Sequence, residues 1–283
     1  MQMLSPMNLF DATTLECSKL ITQRYSTSFT LGIKTLHPRF RDPIYAIYGF
    51  VRFADEIVDT FHHHNKQELL ERFRQETYQA LEERISLNPV LHAFQMVVHQ
   101  YGIDREFIEA FLHSMQMDLV DHVYDCELYK QYIYGSAEVV GLMCLRVFCE
   151  GDSAKFDQLH EGARALGSAF QKVNFLRDIK SDYHDRGRVY FPEVDFLKFC
   201  NQDKQEIEAD IQRDFDNAYQ GILGLPRGAR LGVYLAYIYY LKLFKKIKRL
   251  PATHILEQRV RVPDNTKLAL LLGSYIRYQL NTI

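Results

Sequence analysis

The sequence predicts an all-α protein, and three observations carry that expectation. Apolar residues recur at three- and four-residue intervals along nearly the whole chain. No stretch alternates β-branched residues between hairpin turns. Turn and capping residues collect in short breaks at 62–65, 86–89, 102–104, 151–153, 184–192, 224–228 and 263–265 rather than in one long linker. At the second break, Asn88 before Pro89 reads as an N-cap followed by proline at the first helical position.

The chain has 283 residues, 47% apolar and 25% charged, with 14 Gly and 8 Pro, which excludes collagen-like, disordered and disulfide-scaffold classes. No Ser-, Gly- or Pro-rich linker, low-complexity segment or repeat divides it, so a single helical domain over 1–283 is expected. Its formal charge of −2 draws it toward neither nucleic acid nor an anionic membrane as a whole. Five cysteines, odd in number and without CxxC spacing, point to neither a disulfide framework nor zinc, and a cytoplasmic location is the expectation. The first ten residues lack the basic and apolar regions of a signal peptide. The uncharged stretch 231–241 is too short for the ~20 residues of a spanning helix, so membrane contact is expected to be peripheral.

Segment 43–61 is apolar around most of a helical wheel, yet Tyr48, Arg52, Asp55 and Asp59 fall at i, i+4, i+7 and i+11 on one narrow stripe. A helix apolar nearly all round is normally buried, so the stripe is expected to line an internal cavity. Two buried carboxylates one turn apart are costly unless a cation neutralises them, and a divalent ion would do so. In segment 167–182, Gln171, Asn174, Asp178 and Asp182 repeat the pattern, with Arg177 beside them for an anion. Carboxylate and amide oxygens suit Mg²⁺, with Mn²⁺ as a second candidate; Mg²⁺ commonly completes its shell with phosphate oxygens. Arg186, Gly187, Arg188, Val189, Tyr190, Phe191 and Pro192 then form a basic, constrained loop suited to clamp a diphosphate. Neither a Walker A loop nor G-x-G-x-x-G is present, which argues against a nucleotide cradle.

Taken together, Asp55-Glu56-Ile57-Val58-Asp59 behind Tyr48 and Arg52, Asn174-x-x-Arg177-Asp178-x-x-x-Asp182, and Arg186-Gly187-Arg188-x-Tyr190-Phe191-Pro192 resemble the squalene and phytoene synthase family of head-to-head prenyl synthases. Tyr25-Ser26-Thr27-Ser28-Phe29 is similar to the family's N-terminal Ser-Phe motif. Tyr132-x-Tyr134-Gly135-Ser136-Ala137 through Val140-Gly141 is similar to its central helix. The resemblance runs over roughly residues 20 to 280 in family order.

The resemblance implies an all-α isoprenoid-synthase fold around a central cavity, with Mg²⁺ between facing aspartate-rich helices. It implies a two-step reaction: one allylic diphosphate ionises and alkylates another to a cyclopropylcarbinyl diphosphate, which then ionises, rearranges and, in phytoene synthases, loses a proton. Asp55, Asp59, Asn174, Asp178 and Asp182 would hold metal, with Gln171 on the same face. Arg52, Arg177, Ser26 and Ser28 would meet diphosphate, as would Tyr240 and Arg259 nearer the C-terminus. Tyr48 would line the cavity, and Tyr132, with Tyr134 as the alternative, would be the central-helix tyrosine that assists ionisation or a proton step. One departure stands out: the family's Ala-Gly pair is Ala137-Glu138 here, and a neighbouring turn is expected to carry Glu138 outward.

The implied activity is condensation of two geranylgeranyl diphosphates to phytoene without a nicotinamide cofactor. Ile33, one turn past Phe29 and smaller than an aromatic residue, favours C20 over C15 chains. Dehydrosqualene or squalene synthesis from farnesyl diphosphate is the close alternative, and a non-catalytic assembly protein of this fold the distant one. His62, His63 and His64 cannot converge from one helix face and are expected in a solvated turn. Lys242, Lys245, Lys246, Lys248 and Arg249 read as a solvated face that could rest on anionic lipid headgroups.

Overall fold

In the computed structural model, the described residues are 5–120, 124–184, 190–192, 199–257, 259–280 and 282–283, with the side chains of 181–184 and 264–268 excepted. They are helical throughout, and no strand occurs among them. In order come α1 (Pro6–Tyr25), α2 (Thr27–Thr35), α3 (Pro38–Asp59), α4 (Lys66–Glu83), α5 (Pro89–Tyr101), α6 (Arg105–Val120) and α7 (Cys126–Ile133). A π-helical turn, Tyr134–Glu138, joins α7 to α8 (Val139–Cys149). Then follow α9 (Ser153–His184), α10 (Asn201–Gly224), α11 (Arg227–Lys248), α12 (Ala252–Glu257) and α13 (Asp264–Gln279).

Local chemistry starts most of these helices. Asn88 Oδ1 accepts from the amides of Val90 at 3.1 Å and Leu91 at 3.5 Å, with Pro89 first in α5. Asp125 Oδ1 caps α7 through Glu127 at 2.9 Å and Leu128 at 2.8 Å. Ser26 both ends α1 and caps α2, accepting from Phe29 N at 3.2 Å. Each such cap is worth about 1 kcal/mol. Helix α3 begins at Pro38, earlier than the start near residue 43 that the pattern suggests, and Pro43 lies inside it. The one hydrogen bond that Pro43 forfeits is offset by burial of Phe40, Ile44 and Tyr45.

Around α3 the packing is aromatic. Phe50 is fully buried, stacked on Phe94 of α5 at 3.9 Å and 2°, and set against Phe111 of α6 at 5.3 Å and Phe73 of α4 at 5.6 Å. Nearly all the buried apolar side chains from α2 onward form one continuous cluster. Helix α9 lies between α8 and α10, and α11 between α2 and α13. Two glycines set the closest approaches around the π turn. A Cβ on Gly135 would stand 2.3 Å from the Ala110 carbonyl oxygen, and one on Gly167 2.4 Å from that of Ala137.

The run Cys126–Cys149 has the length and mean hydropathy, 1.3, of a membrane-crossing helix. It is a core element here: 56% of its apolar window is buried, and its Glu138 and Arg146 are both ion-paired. The His62–His64 triplet is exposed in the turn after α3, as expected.

Candidate active site

On α3, Tyr48, Arg52, Asp55 and Asp59 are all half-buried along one stripe, while Ala54, Ile57 and Val58 behind them are buried. Arg52 is the organiser. Its guanidinium pairs with Glu56 one turn on, stands 3.7 Å from Asp55 Oδ2 and lies 4.5 Å over the Tyr25 ring. Glu56, not singled out by the stripe, is the buried acid of this helix, and its i, i+4 spacing to Arg52 was the available signal. Arg52 Nε is buried and has no hydrogen-bond partner among the described residues. An unsatisfied donor of that kind costs about 1–3 kcal/mol and is a position for an anionic oxygen.

The α1–α2 junction brings Ser26 close to the Tyr48 phenol. Burial pushes that phenol above its ordinary range, against the opposing pull of Arg52. Phe29 lies between Tyr48 at 5.7 Å and Tyr240 of α11 at 6.4 Å. Ser28 shares a small cavity with Phe29, Tyr239, Tyr240 and Leu270.

On α9, Arg177 grips Asp178 with two bonds, Nε to Oδ1 at 3.0 Å and Nη2 to Oδ2 at 2.5 Å. Arg259, from the segment between α12 and α13, reaches the same carboxylate at 2.7 Å and 3.3 Å. Burial works against the Arg177 charge, but the hydrogen bonds and charge of Asp178 outweigh it and the net shift is upward. One turn back, Asn174 Oδ1 accepts from the Tyr240 hydroxyl at 3.3 Å, and the Tyr240 ring stacks on Phe170 at 3.9 Å and 16°. Tyr48, Phe29, Tyr240 and Asn174 thus link the α3 stripe to the α9 stripe. Gln171 lies half-buried on α9. The Asp182 side chain and residues 186–189 lie outside the described residues; the Asp182 backbone continues α9 one turn past Asp178.

The donor set suits a divalent cation. Asp55, Asp59, Asn174 and Asp178 offer only hard oxygens, and two guanidinium groups supply at Asp178 the positive charge that such an ion would otherwise bring. Among the described residues no three His, Cys, Asp or Glu side chains cluster, so α3 and α9 present their carboxylates as separate sets.

The central tyrosines part company. Tyr132 is buried and donates to Asp118 Oδ2 at 2.7 Å, whereas Tyr134 opens the π turn, half-buried with Arg164 5.6 Å over its ring. Glu138 does not swing outward into solvent. Its side chain is 14% exposed and accepts from Arg164 Nε at 2.6 Å. Fourteen residues separate Arg164 from Asp178, about 21 Å along α9. The π turn that holds Glu138 has no mark in a 3.6-residue pattern. Asp118, on α6, also lay in no motif.

An all-α bundle with acidic stripes on two helices and guanidinium groups beside them fits the isoprenoid-synthase type that the sequence motifs resemble, and sequence comparison makes the assignment specific. The pattern of the family described as squalene/phytoene synthase matches residues 22–266. The chain belongs to the squalene/phytoene synthase family. It is 29% identical over 248 residues to phytoene synthase 2 of Solanum lycopersicum, covering 81% of this chain and 79% of that one. It is also 29% identical over 294 residues to 15-cis-phytoene synthase of a Synechocystis strain, covering 93% and 85%. It spans 60% to 66% of the length of several other chloroplast phytoene synthases. A crystal structure of a dehydrosqualene synthase with ligand has the same fold, with a TM-score of 0.81 at 19% identity over 99% of this chain and 100% of that one. The chain is thus a prenyltransferase-type synthase of the head-to-head class.

Proposed function

We propose that the chain joins two geranylgeranyl diphosphates head to head, through a cyclopropylcarbinyl diphosphate, to phytoene. The observation that carries this reading is the set of cationic groups: Arg177 and Arg259 converging on Asp178, with the buried, unpartnered Nε of Arg52 on the α3 stripe. Arg52, Arg177 and Arg259 bind and orient the diphosphate, with Ser26, Ser28 and the Tyr240 hydroxyl as neutral donors. Asp55, Asp59, Asn174, Asp178 and Asp182 hold Mg²⁺, or Mn²⁺ in its place. When bound, the ion offsets charge on the departing diphosphate. The apolar rings of Phe29, Tyr48, Phe170 and Tyr240 exclude water that would quench an allylic cation. Tyr132 takes part in ionisation or in the proton step.

Buried Ile33, on α2 one turn beyond Phe29, supports the longer substrate. The reading takes 1–283 as one domain, supported by the continuous core, and places it in the cytoplasm against a membrane surface. Exposed Leu272, Tyr275 and Ile276 on α13, Leu280 just after it, and exposed Lys242, Lys245, Lys246, Lys248 and Arg249 at the end of α11 support that contact. The test is incubation of the purified protein with geranylgeranyl or farnesyl diphosphate and Mg²⁺, without nicotinamide cofactor, and mass spectrometry of the extract. Phytoene from the C20 substrate is the expected product. A C30 hydrocarbon alone would move the assignment to the farnesyl-using class, and no hydrocarbon from either substrate would overturn it in favour of a non-catalytic role.

A further inference from the structure

Asp118 occupies the last turn of α6 with 7% of its surface exposed, and three tyrosines from separate parts of the chain aim their hydroxyls at it. Tyr132 of α7 donates to Oδ2 at 2.7 Å, Tyr190 to Oδ1 at 2.9 Å, and Tyr124 to Oδ1 at 3.4 Å. The rings pack as a unit: Tyr132 stands 5.2 Å from both Tyr124 and Tyr190, and Tyr190 stacks on Phe175 of α9 at 4.1 Å and 15°. Phe175 sits between Asn174 and Asp178 in sequence, so the cluster is built onto the same helix that carries the acidic stripe. Burying a carboxylate is expensive unless its oxygens are hydrogen-bonded, and a fixed network of this kind rigidifies the groups in it.

A phenol has one proton to give. Once Tyr132 has committed that proton to Asp118, its oxygen can meet a ligand only as an acceptor, through lone pairs. We propose that Asp118 is a positioning residue for the condensation: its carboxylate accepts hydrogen bonds from the Tyr132 phenol at Oδ2 and the Tyr190 phenol at Oδ1, and so holds the Tyr132 oxygen in acceptor mode. Asp118 also ties Tyr190, of the Tyr-Phe-Pro end of the basic loop, to the same tyrosine. Burial first, and then the Asp118 charge, raise the Tyr132 phenol well above its ordinary range, which keeps the proton on oxygen. The inference rests on the synthase reading above.

The test compares Asp118→Asn, Tyr132→Phe and the double variant in steady-state turnover of the prenyl diphosphate, alongside the ring-carbon NMR signal of 13Cζ-labelled Tyr132. Asp118→Asn is expected to lower kcat roughly 10- to 100-fold with KM within about threefold, and to change kcat by less than about twofold when Tyr132 is already Phe. It is also expected to move the Tyr132 13Cζ resonance in the protein without substrate. Equal losses in both backgrounds, or an unmoved resonance, would overturn the proposal. If Asp118→Asn fails to fold, Tyr190→Phe serves instead, since it removes the shorter of the two tyrosine bonds to Oδ1 and leaves the Tyr132 bond at Oδ2; its loss of kcat is expected only where Tyr132 is present. A wild-type protein inactive on every prenyl diphosphate would sink the synthase reading, while the resonance would still decide whether Asp118 holds the Tyr132 hydroxyl.

Discussion

Replacing Asp178 by Asn probes the α9 stripe most directly. The change keeps the shape but removes the charge that two guanidinium groups share, and it turns an amide NH2 toward one of them. Asp178 is 18% and Arg177 21% exposed, so their pair lies between a surface pair, worth under about 1 kcal/mol, and a buried one, whose disruption costs about 3–5 kcal/mol. Arg259, 51% exposed, adds little to stability. A loss of about 2 kcal/mol corresponds to a drop in Tm of roughly 4–8 °C for a chain of this size. On the proposed reading, turnover should fall at least ~100-fold, since the variant would lack a metal ligand and leave Arg177 misoriented for the departing diphosphate. Thermal melting and product formation are measured together, with inorganic diphosphate plus Mg²⁺ as the ligand probe. At a hundredfold over Kd, that probe stabilises the wild type by about 2.7 kcal/mol, and the variant should lose most of the shift. Near-normal turnover with an intact ligand shift would refute the role assigned to Asp178.

Three further outcomes follow from the structure. Ile33→Phe enlarges the side chain one turn beyond Phe29 and should raise the ratio of C15 to C20 substrate consumed in competition; an unchanged ratio removes Ile33 from chain-length selection. Gly135→Ala would drive a Cβ to 2.3 Å from the Ala110 carbonyl oxygen and should cost about 1–3 kcal/mol or more, read as a lower urea midpoint. Burial, opposed by Arg164, raises the Glu138 carboxyl above 4.5, so the folded protein holds that proton to higher pH than the unfolded chain. Its contribution to stability is therefore greatest below the unfolded pKa and declines as pH rises through the folded one. Urea denaturation of Glu138→Gln and wild type at about pH 4 and pH 7 should give a wild-type advantage that is larger at the lower pH, and parallel pH dependences would refute the assignment.

The elements most legible in the sequence are those whose cause is local. Asn88-Pro89 starts α5 because a side-chain oxygen three residues from an amide is within reach whatever the rest of the molecule does. The stripes of Tyr48, Arg52, Asp55 and Asp59, and of Asn174 and Asp178, follow from 3.6 residues per turn, and the motifs they form identified the family. Helix α3 starts before the apolar segment 43–61, because Pro38 holds the first-turn place and Pro43 is accommodated inside the helix.

What the sequence by itself determined, then, is an all-α chain with acidic and basic residues sorted onto particular helical faces. The tertiary structure decided which of those charges meet. Arg259 reaches Asp178 across 81 residues, Glu138 finds Arg164 across 26, and Tyr190 joins Tyr132 at Asp118 across 72 residues of chain from that carboxylate. Such pairings depend on how helices dock, and docking is set by the close approaches at Gly135 and Gly167 and by the phase shift of the π turn. None of these is periodic, so no pattern along the chain encodes them; they emerge only when the packed helices bring distant side chains within a few ångströms.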